Sequence, residues 1–165
     1  MMELVKTEFA IGEVALAVRD GALCALVMGE KAASLPRRFA GAVQVAPDAP
    51  SVAEVVEKLR AYFAGDVHAV DSLRVDAAGT DFQRRVWAEV RRIPAGETRT
   101  YGEIGVALGA PAGVARAVGR ANATNPVALV IPCHRVVGAG KALCGYAYGL
   151  ERKRWLLEHE RRALA

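Results

Sequence analysis

The residues best placed by type and spacing to do chemistry are Ile131-Pro132-Cys133-His134-Arg135-Val136. A cysteine here follows an apolar run and a proline, just ahead of a glycine-rich stretch. Positive neighbours lower a thiol pKa, and the thiolate is the nucleophile. Adjacent residues of an extended segment point to opposite sides, so a bridging water or a sharp turn is needed to couple His134 to Cys133. The imidazole also needs an acid to orient it, and Glu158 and Glu160 are the candidates by composition. A buried structural cysteine is the competing reading, since most cysteines are small core hydrophobes. It is the better account of Cys24, which sits inside an apolar run. Cys133, His134, Cys144 and His159 lack paired-ligand spacing and no Cys-x-x-Cys occurs, so no metal is expected. His68 lies in a loop-like stretch and is expected to be exposed.

A second constellation lies upstream. Thr100 and Glu103 form a capping box for a short helix carrying Tyr101, Ile104 and Leu108 along one side. Gly109-Ala110-Pro111 breaks that helix, and another follows over about 113–122. Helix, glycine-containing turn, helix fits a helix-turn-helix. From Ala112 to Ala123 the second helix is Ala, Gly and Val, with Arg116, Arg120 and Asn122 the only polar residues. A sequence-reading helix needs several long side chains to reach base edges. This one presents a small-residue face that lets backbone approach a sugar-phosphate surface, with an Arg free to enter a groove or the base stack. It suits DNA binding without sequence preference. An ordinary tightly packed helix pair is the alternative.

Composition frames these sites. The 165 residues are 53% apolar and 24% charged. That excludes a disordered chain and provides for a real core in one domain or two small ones. The longest apolar runs, Ala22–Met28 and Val127–Ile131, are far shorter than the roughly 20 residues a bilayer requires. No signal peptide is visible and three cysteines do not suggest a disulfide framework, so a reduced, cytoplasmic protein is expected. Charge is uneven. Residues 1–78 hold 8 Lys+Arg against 11 Asp+Glu, and residues 79–165 hold 14 against 7, of which 12 are Arg. An Arg-rich second half points to an anionic partner such as nucleic acid, or to a solvated basic surface.

The positioning elements read as follows. Leu4–Phe9, Glu13–Arg19 and Ala22–Met28 form an antiparallel meander, with Asp20-Gly21 a strong hairpin signal. Residues 29–50, with three prolines, read as a loop. Ser51 and Glu54 predict a capping box for a helix whose apolar face is Val52, Val55, Val56, Leu59 and Phe63. Leu73–Val75 is one more candidate strand. The boundary falls at Ala77-Ala78-Gly79, where the charge switches. Thr80 or Asp81 caps a helix over Phe82–Arg92 whose buried side is expected to be Phe82, Val86 and Val90, with Trp87 beside them. Val127–Ile131 is expected to be a short buried strand, 136–148 a loop, and Leu150–Arg162 a closing helix.

Pro132-Cys133-His134-Arg135-Val136 resembles the signature of the O6-alkylguanine-DNA alkyltransferases, the methylated-DNA–protein-cysteine methyltransferases. The resemblance extends over Thr80-Asp81-Phe82-Gln83 to Val86-Trp87, Ile93-Pro94-Ala95-Gly96-Glu97-Thr98, Tyr101-Gly102-Glu103-Ile104, Ala115-Arg116-Ala117-Val118-Gly119, Asn125-Pro126, Gly145-Tyr146 and Arg152-Lys153 through Glu160. It covers about residues 79–160. The acidic half resembles the family only in outline.

The resemblance implies an α/β (α+β) fold. A ribonuclease-H-like sheet-and-helix domain, residues 1–78, precedes a mainly helical, winged-helix-like helix-turn-helix domain, residues 79–165, that binds DNA and accepts the alkyl group. It implies one-shot transfer of the alkyl group from O6-alkylguanine in duplex DNA to Cys133 after base flipping, with O4-alkylthymine a further candidate substrate. His134 would act through a water, oriented by Glu160. Tyr101 would donate to the flipped guanine, and Asn125 would tie the second helix to the cysteine segment. Arg116 would fill the gap in the stack, with Thr100, Ala115, Ala117 and Arg120 also at the DNA. Val136, Tyr146, Ala147, Tyr148 and Asn122 would form the pocket, with carbonyls of Cys133 and Val136 accepting from the guanine amino group and the Ala147 amide facing O6. Docking would be in the minor groove, by a monomer, without sequence preference, membrane or cofactor. Four residues depart from the family pattern. Ala147 replaces a residue that is often polar in relatives, though its role there is carried by the backbone amide; Cys144 stands where Ser or Thr is usual, Ala123 where a basic residue is common, and Tyr148 where many relatives have Gly. Rival readings are a sensor of alkylated bases, a Cys–His hydrolase drawing on His68 or His159, and a transcription regulator.

Overall fold

The computed structural model describes residues 1–111 and 113–165; Ala112, at the start of the small-residue stretch, lies outside them. The first unit, residues 1–77 with 126–130, is built on a meander. Strand β1 (Met2–Phe9) pairs antiparallel with β2 (Gly12–Arg19), which pairs antiparallel with β3 (Ala22–Met28). The β2–β3 turn has Asp20 at φ 52° and Gly21 at φ 77°, the two left-handed residues of a type I′ turn. Leu16, Ala17, Val18, Leu23, Ala25 and Leu26 are wholly buried.

Residues 29–50 are not one loop. Gly29–Ser34 is 3₁₀, α1 is the single turn Leu35–Arg38, and β4 (Val43–Gln44) adds parallel to β1, giving the order β3-β2-β1-β4. Helix α2 (Ala53–Phe63) starts two residues after Ser51, and no side chain caps it. The expected capping box is absent because the Ser51 hydroxyl donates to Glu3 Oε2 at 2.7 Å, a partner 48 positions away. The buried face is Val55, Val56, Leu59 and Tyr62, while Phe63 stacks on Phe9 at 4.7 Å. Leu73–Val75 is not a strand: Ala69–Ser72 is 3₁₀ and only Val75 bridges, to Leu23. Nor is 127–131. Val127 makes one bridge to Leu26, and Leu129 turns the chain away at φ 74°. The Leu26 amide donates to Pro126 O at 2.9 Å, and the Ala128 amide to Leu26 O at 3.2 Å. Those bonds place 126–130 with the first unit and not with residues 79–165.

The second unit, 78–125 with 131–165, is mainly helical. Helix α3 (Asp81–Arg91) is capped by Thr80 with Gln83 completing the box. Its Trp87 donates its indole N–H to Ala121 O at 2.8 Å. A Cβ at Gly79 would come within 2.5 Å of the Trp87 ring, so the residue before the cap has no room for a side chain. Strand β5 (Arg99–Thr100) leads into α4 (Tyr101–Ala107), where Thr100 and Glu103 form the expected box. Helix α5 (Ala115–Ala123) follows, then β6 (Val136–Val137), parallel to β5, and α6 (Leu150–Ala163). Among the described residues no helix is long and apolar enough to cross a membrane.

Candidate active site

Cys133 opens a 3₁₀ turn, Cys133–Arg135, so the sharp turn required for neighbouring side chains to cooperate is present. Asn122, in the last turn of α5, and Asn125, two residues past its end, hold it. Asn125 Nδ2 donates to Ile131 O at 2.8 Å, and Asn122 Nδ2 donates to Cys133 O at 3.3 Å. Cys133 is buried, 4% exposed as a residue. Burial pushes its pKa up; a hydrogen bond with Asn125, the Lys153 charge and a hydrogen bond with Tyr146 oppose that.

Behind it lies a fully buried charge cluster. His134 Nε2 meets Glu160 Oε2 at 2.9 Å. Arg135 forks onto the same carboxylate, Nε to Oε1 at 2.9 Å and Nη2 to Oε2 at 2.7 Å, while Nη1 donates to Ile93 O at 2.7 Å. Burial works against Glu160 ionising, but His134 and Arg135 outweigh it and hold the carboxyl well below the usual range. Burial drives the His134 pKa down, against the pull of Glu160 and with the help of Arg135. The imidazole is therefore neutral, with Nε2–H donated to Glu160 and Nδ1 left as an acceptor. Among the described residues Nδ1 has no hydrogen-bond partner, which is how an idle general base stands. Glu158, the other candidate acid, pairs at the surface with Arg161 and Arg162.

A cavity of about 320 Å³ opens at the cysteine. Tyr101, Asn122, Asn125, Cys133, Tyr146, Ala147 and Tyr148 line it, all expected at the site. Gly119, Ala123 and Gly145 complete the wall. Gly119 was readable from its helical spacing to Asn122, and a Cβ there would lie 3.9 Å from the Tyr101 ring. Tyr101 Oη donates to Cys144 O at 3.4 Å, and burial raises its pKa, so it stays a protonated donor. Tyr148 meets Tyr146 edge-on at 5.5 Å. Val136 is not in the wall; its side chain is buried and its carbonyl already accepts from Lys153 Nζ at 2.6 Å. Ala115, Arg116 and Arg120 are exposed on α5, Ala117 is partly so, and Thr100 is committed to its cap. His68 is exposed beside Asp71, and His159 stacks on Trp155 at 4.9 Å.

The family profile described as "6-O-methylguanine DNA methyltransferase, DNA binding domain" matches residues 81–162. A methylated-DNA–protein-cysteine methyltransferase of Mycolicibacterium paratuberculosis is 46% identical over 98% of this chain and 94% of its own length. The chain belongs to the methylated-DNA–protein-cysteine methyltransferase family. The fold of this methyltransferase-family chain agrees: the O6-methylguanine methyltransferase of Mycobacterium tuberculosis superposes with a TM-score of 0.83 at 41% identity, over 99% of this chain and 94% of that one. The same organism's OGT in complex with DNA gives 0.83 at 40% identity, over 98% and 94%. Both are mixed α/β structures of the same architecture. What sequence reasoning passed over in this family member is Lys153, a wholly buried lysine in contact with the cavity loop. Its signal was a cation on the apolar face of the last helix, three before Leu156 and seven before Glu160.

Proposed function

We propose that the chain repairs DNA by direct reversal, moving the alkyl group from O6-alkylguanine to Cys133. The observation that supports this most directly is a buried cysteine lining a cavity walled by Tyr101, Tyr146 and Tyr148, with a neutral histidine beside it hydrogen-bonded to a buried carboxylate. A base within a duplex cannot reach such a cysteine, so the nucleotide is extruded into the cavity. His134 Nδ1 takes the thiol proton through one bridging water, and Glu160 holds the imidazole in the tautomer that permits it. The thiolate attacks the saturated carbon on O6. The S–C bond forms as the C–O bond breaks, guanine leaves with the electron pair under Tyr101's hydrogen bond, and the proton that His134 took from the thiol passes through water to the leaving base, returning the imidazole to its neutral form. The thioether has no ready route to hydrolysis, so each molecule acts once. O4-alkylthymine offers the same bond to attack.

Arg116, exposed on the small-residue helix, fills the gap in the stack, with Thr100, Ala115, Ala117 and Arg120 along the same minor-groove contact. Ala147's amide faces O6. Binding is electrostatic, salt-dependent and without sequence preference. The finer fold reading goes with this: residues 1–78 as a ribonuclease-H-like domain, supported by the order β3-β2-β1-β4, and 79–165 as a winged-helix-like DNA-binding domain. The protein acts as a monomer in the cytoplasm, where thiols stay reduced.

Peptide mass spectrometry after mixing with a duplex carrying one O6-methylguanine tests the reading. One methyl group on the Cys133 peptide, stoichiometric with the lesion and lost in Cys133→Ala, is expected. DNA binding without methyl gain overturns transfer in favour of a lesion sensor, and repeated ester turnover favours a hydrolase.

A further inference from the structure

We propose that Lys153 is a positioning residue for the transfer, clamping the cavity loop to β6 and presenting its ammonium to the Cys133 thiolate. A lysine with no exposed surface is rare, because burying an ammonium is costly unless every N–H is satisfied. Here all three are. Nζ donates to Val136 O at 2.6 Å, Cys144 O at 3.1 Å and Gly145 O at 3.1 Å. An ammonium has three donors and this one has three carbonyls, a closed set. The acceptors come from two places, the strand that follows the cysteine turn and the loop that walls the cavity. Cys144 O is shared with the Tyr101 hydroxyl, so the same carbonyl registers α4, the loop and α6 together. Gly145 sits at φ 57° and leads directly into Tyr146, Ala147 and Tyr148 on the cavity wall.

The charge matters as much as the tie. Burial lowers the Lys153 pKa, and the thiols of Cys144 and Cys133 pull it back up; reciprocally, the ammonium favours the Cys133 thiolate. The other ionisable groups around the cysteine are His134, Tyr101, Tyr146 and Cys144, with Glu160 and Arg135 behind His134. Arg135 and His134 share the Glu160 carboxylate, whereas the Lys153 donors go to neutral carbonyls, which leaves its charge to act on the Cys133 and Cys144 thiols and to disfavour a charged His134.

This inference rests on Cys133 as alkyl acceptor, so methyl transfer by the unaltered protein is measured first; its failure removes that reading, not this one alone. Three variants then separate tie from charge. Lys153→Met keeps the bulk and loses both, Lys153→Gln keeps N–H donors without charge, and Lys153→Arg keeps charge. The readouts are the single-turnover transfer rate, DNA affinity, and the pH profile of Cys133 carboxamidomethylation by iodoacetamide, followed on the Cys133 peptide. Lys153→Met is expected to transfer about 100-fold more slowly, the scale for a misplaced reacting group, with DNA affinity kept and the iodoacetamide profile moved to higher pH. Lys153→Arg is expected to restore the profile and Lys153→Gln to leave it displaced. Wild-type transfer and an unmoved profile in Lys153→Met overturn the proposal. A measurement on the unmutated protein decides the case where variants fail to fold. The Lys153 ammonium signal in nitrogen-15 NMR is expected to be protected from exchange and to shift on Cys133 methylation. Exchange as fast as at exposed Lys141, or no shift, refutes it.

Discussion

Replacing Glu160 with Gln changes one atom and tests the buried cluster. The carboxylate accepts three hydrogen bonds, two from Arg135 and one from His134, with no exposure to water. Gln fills the same volume but offers one oxygen. Its amide nitrogen must face either Arg135 Nε or the pair of donors at Oε2, a donor-to-donor contact in both orientations. The guanidinium is then a buried cation without a counter-charge, a loss of about 3–5 kcal/mol. For a chain of this length each kcal/mol moves Tm by about 2–4 °C, so a fall of about 6–20 °C is expected. Thermal and urea unfolding followed by circular dichroism measure it. Adding Arg135→Met to Glu160→Gln removes the stranded cation and should recover about 1–2 kcal/mol, short of full recovery because Ile93 O loses its donor. A loss below about 1 kcal/mol in the single variant refutes the reasoning, as does a double variant less stable than the single.

Three further outcomes are expected. Tyr148→Gly opens the cavity wall and raises the rate on O6-benzylguanine relative to O6-methylguanine; an unchanged ratio shows that Tyr148 does not set adduct size. Gly79→Ala drives a methyl into the Trp87 ring and costs about 1–3 kcal/mol by urea unfolding, and a neutral result means the cap shifts freely. Stability is expected to fall with acid in two stages. The folded His134 pKa is depressed, so the unfolded chain takes up that proton first as pH drops below about 6.5; Glu160 is depressed too and adds its loss below about 4.3. Both effects are absent at neutral pH, and a Tm that is flat from pH 7 to 5 contradicts the first.

The features legible in the sequence were those fixed by near neighbours. Thr80 with Gln83 and Thr100 with Glu103 are three apart and cap as expected, and Asp20-Gly21 turns the hairpin. Ser51 with Glu54 has the same spelling and fails, because Glu3 reaches the hydroxyl first. Val127–Ile131 has a strand's composition, but Leu129 takes a left-handed conformation that alternation does not encode. Cys133 and most of the cavity wall followed from types and spacing joined to the family resemblance. The choice of Glu160 over Glu158 came from the resemblance alone, since residue types and spacing do not say which face of α6 turns inward. Lys153 was missed because a cation on a buried face reads as an interruption until its three carbonyls are seen.

The segment 126–130 has a consequence for how the chain is made. At Leu26 the outer edge of β3 is satisfied by Pro126 and Ala128, which leave the ribosome about eighty residues after the last strand of that sheet, β4, ends at Gln44. Until then Leu26 presents a bare amide and carbonyl on an apolar strand, the kind of edge that recruits other chains. The nascent protein therefore passes through an interval of vulnerability to aggregation. A fragment ending at residue 77 is stranded in it permanently, and appending residues 126–130 through a flexible linker is the shortest way to close the sheet.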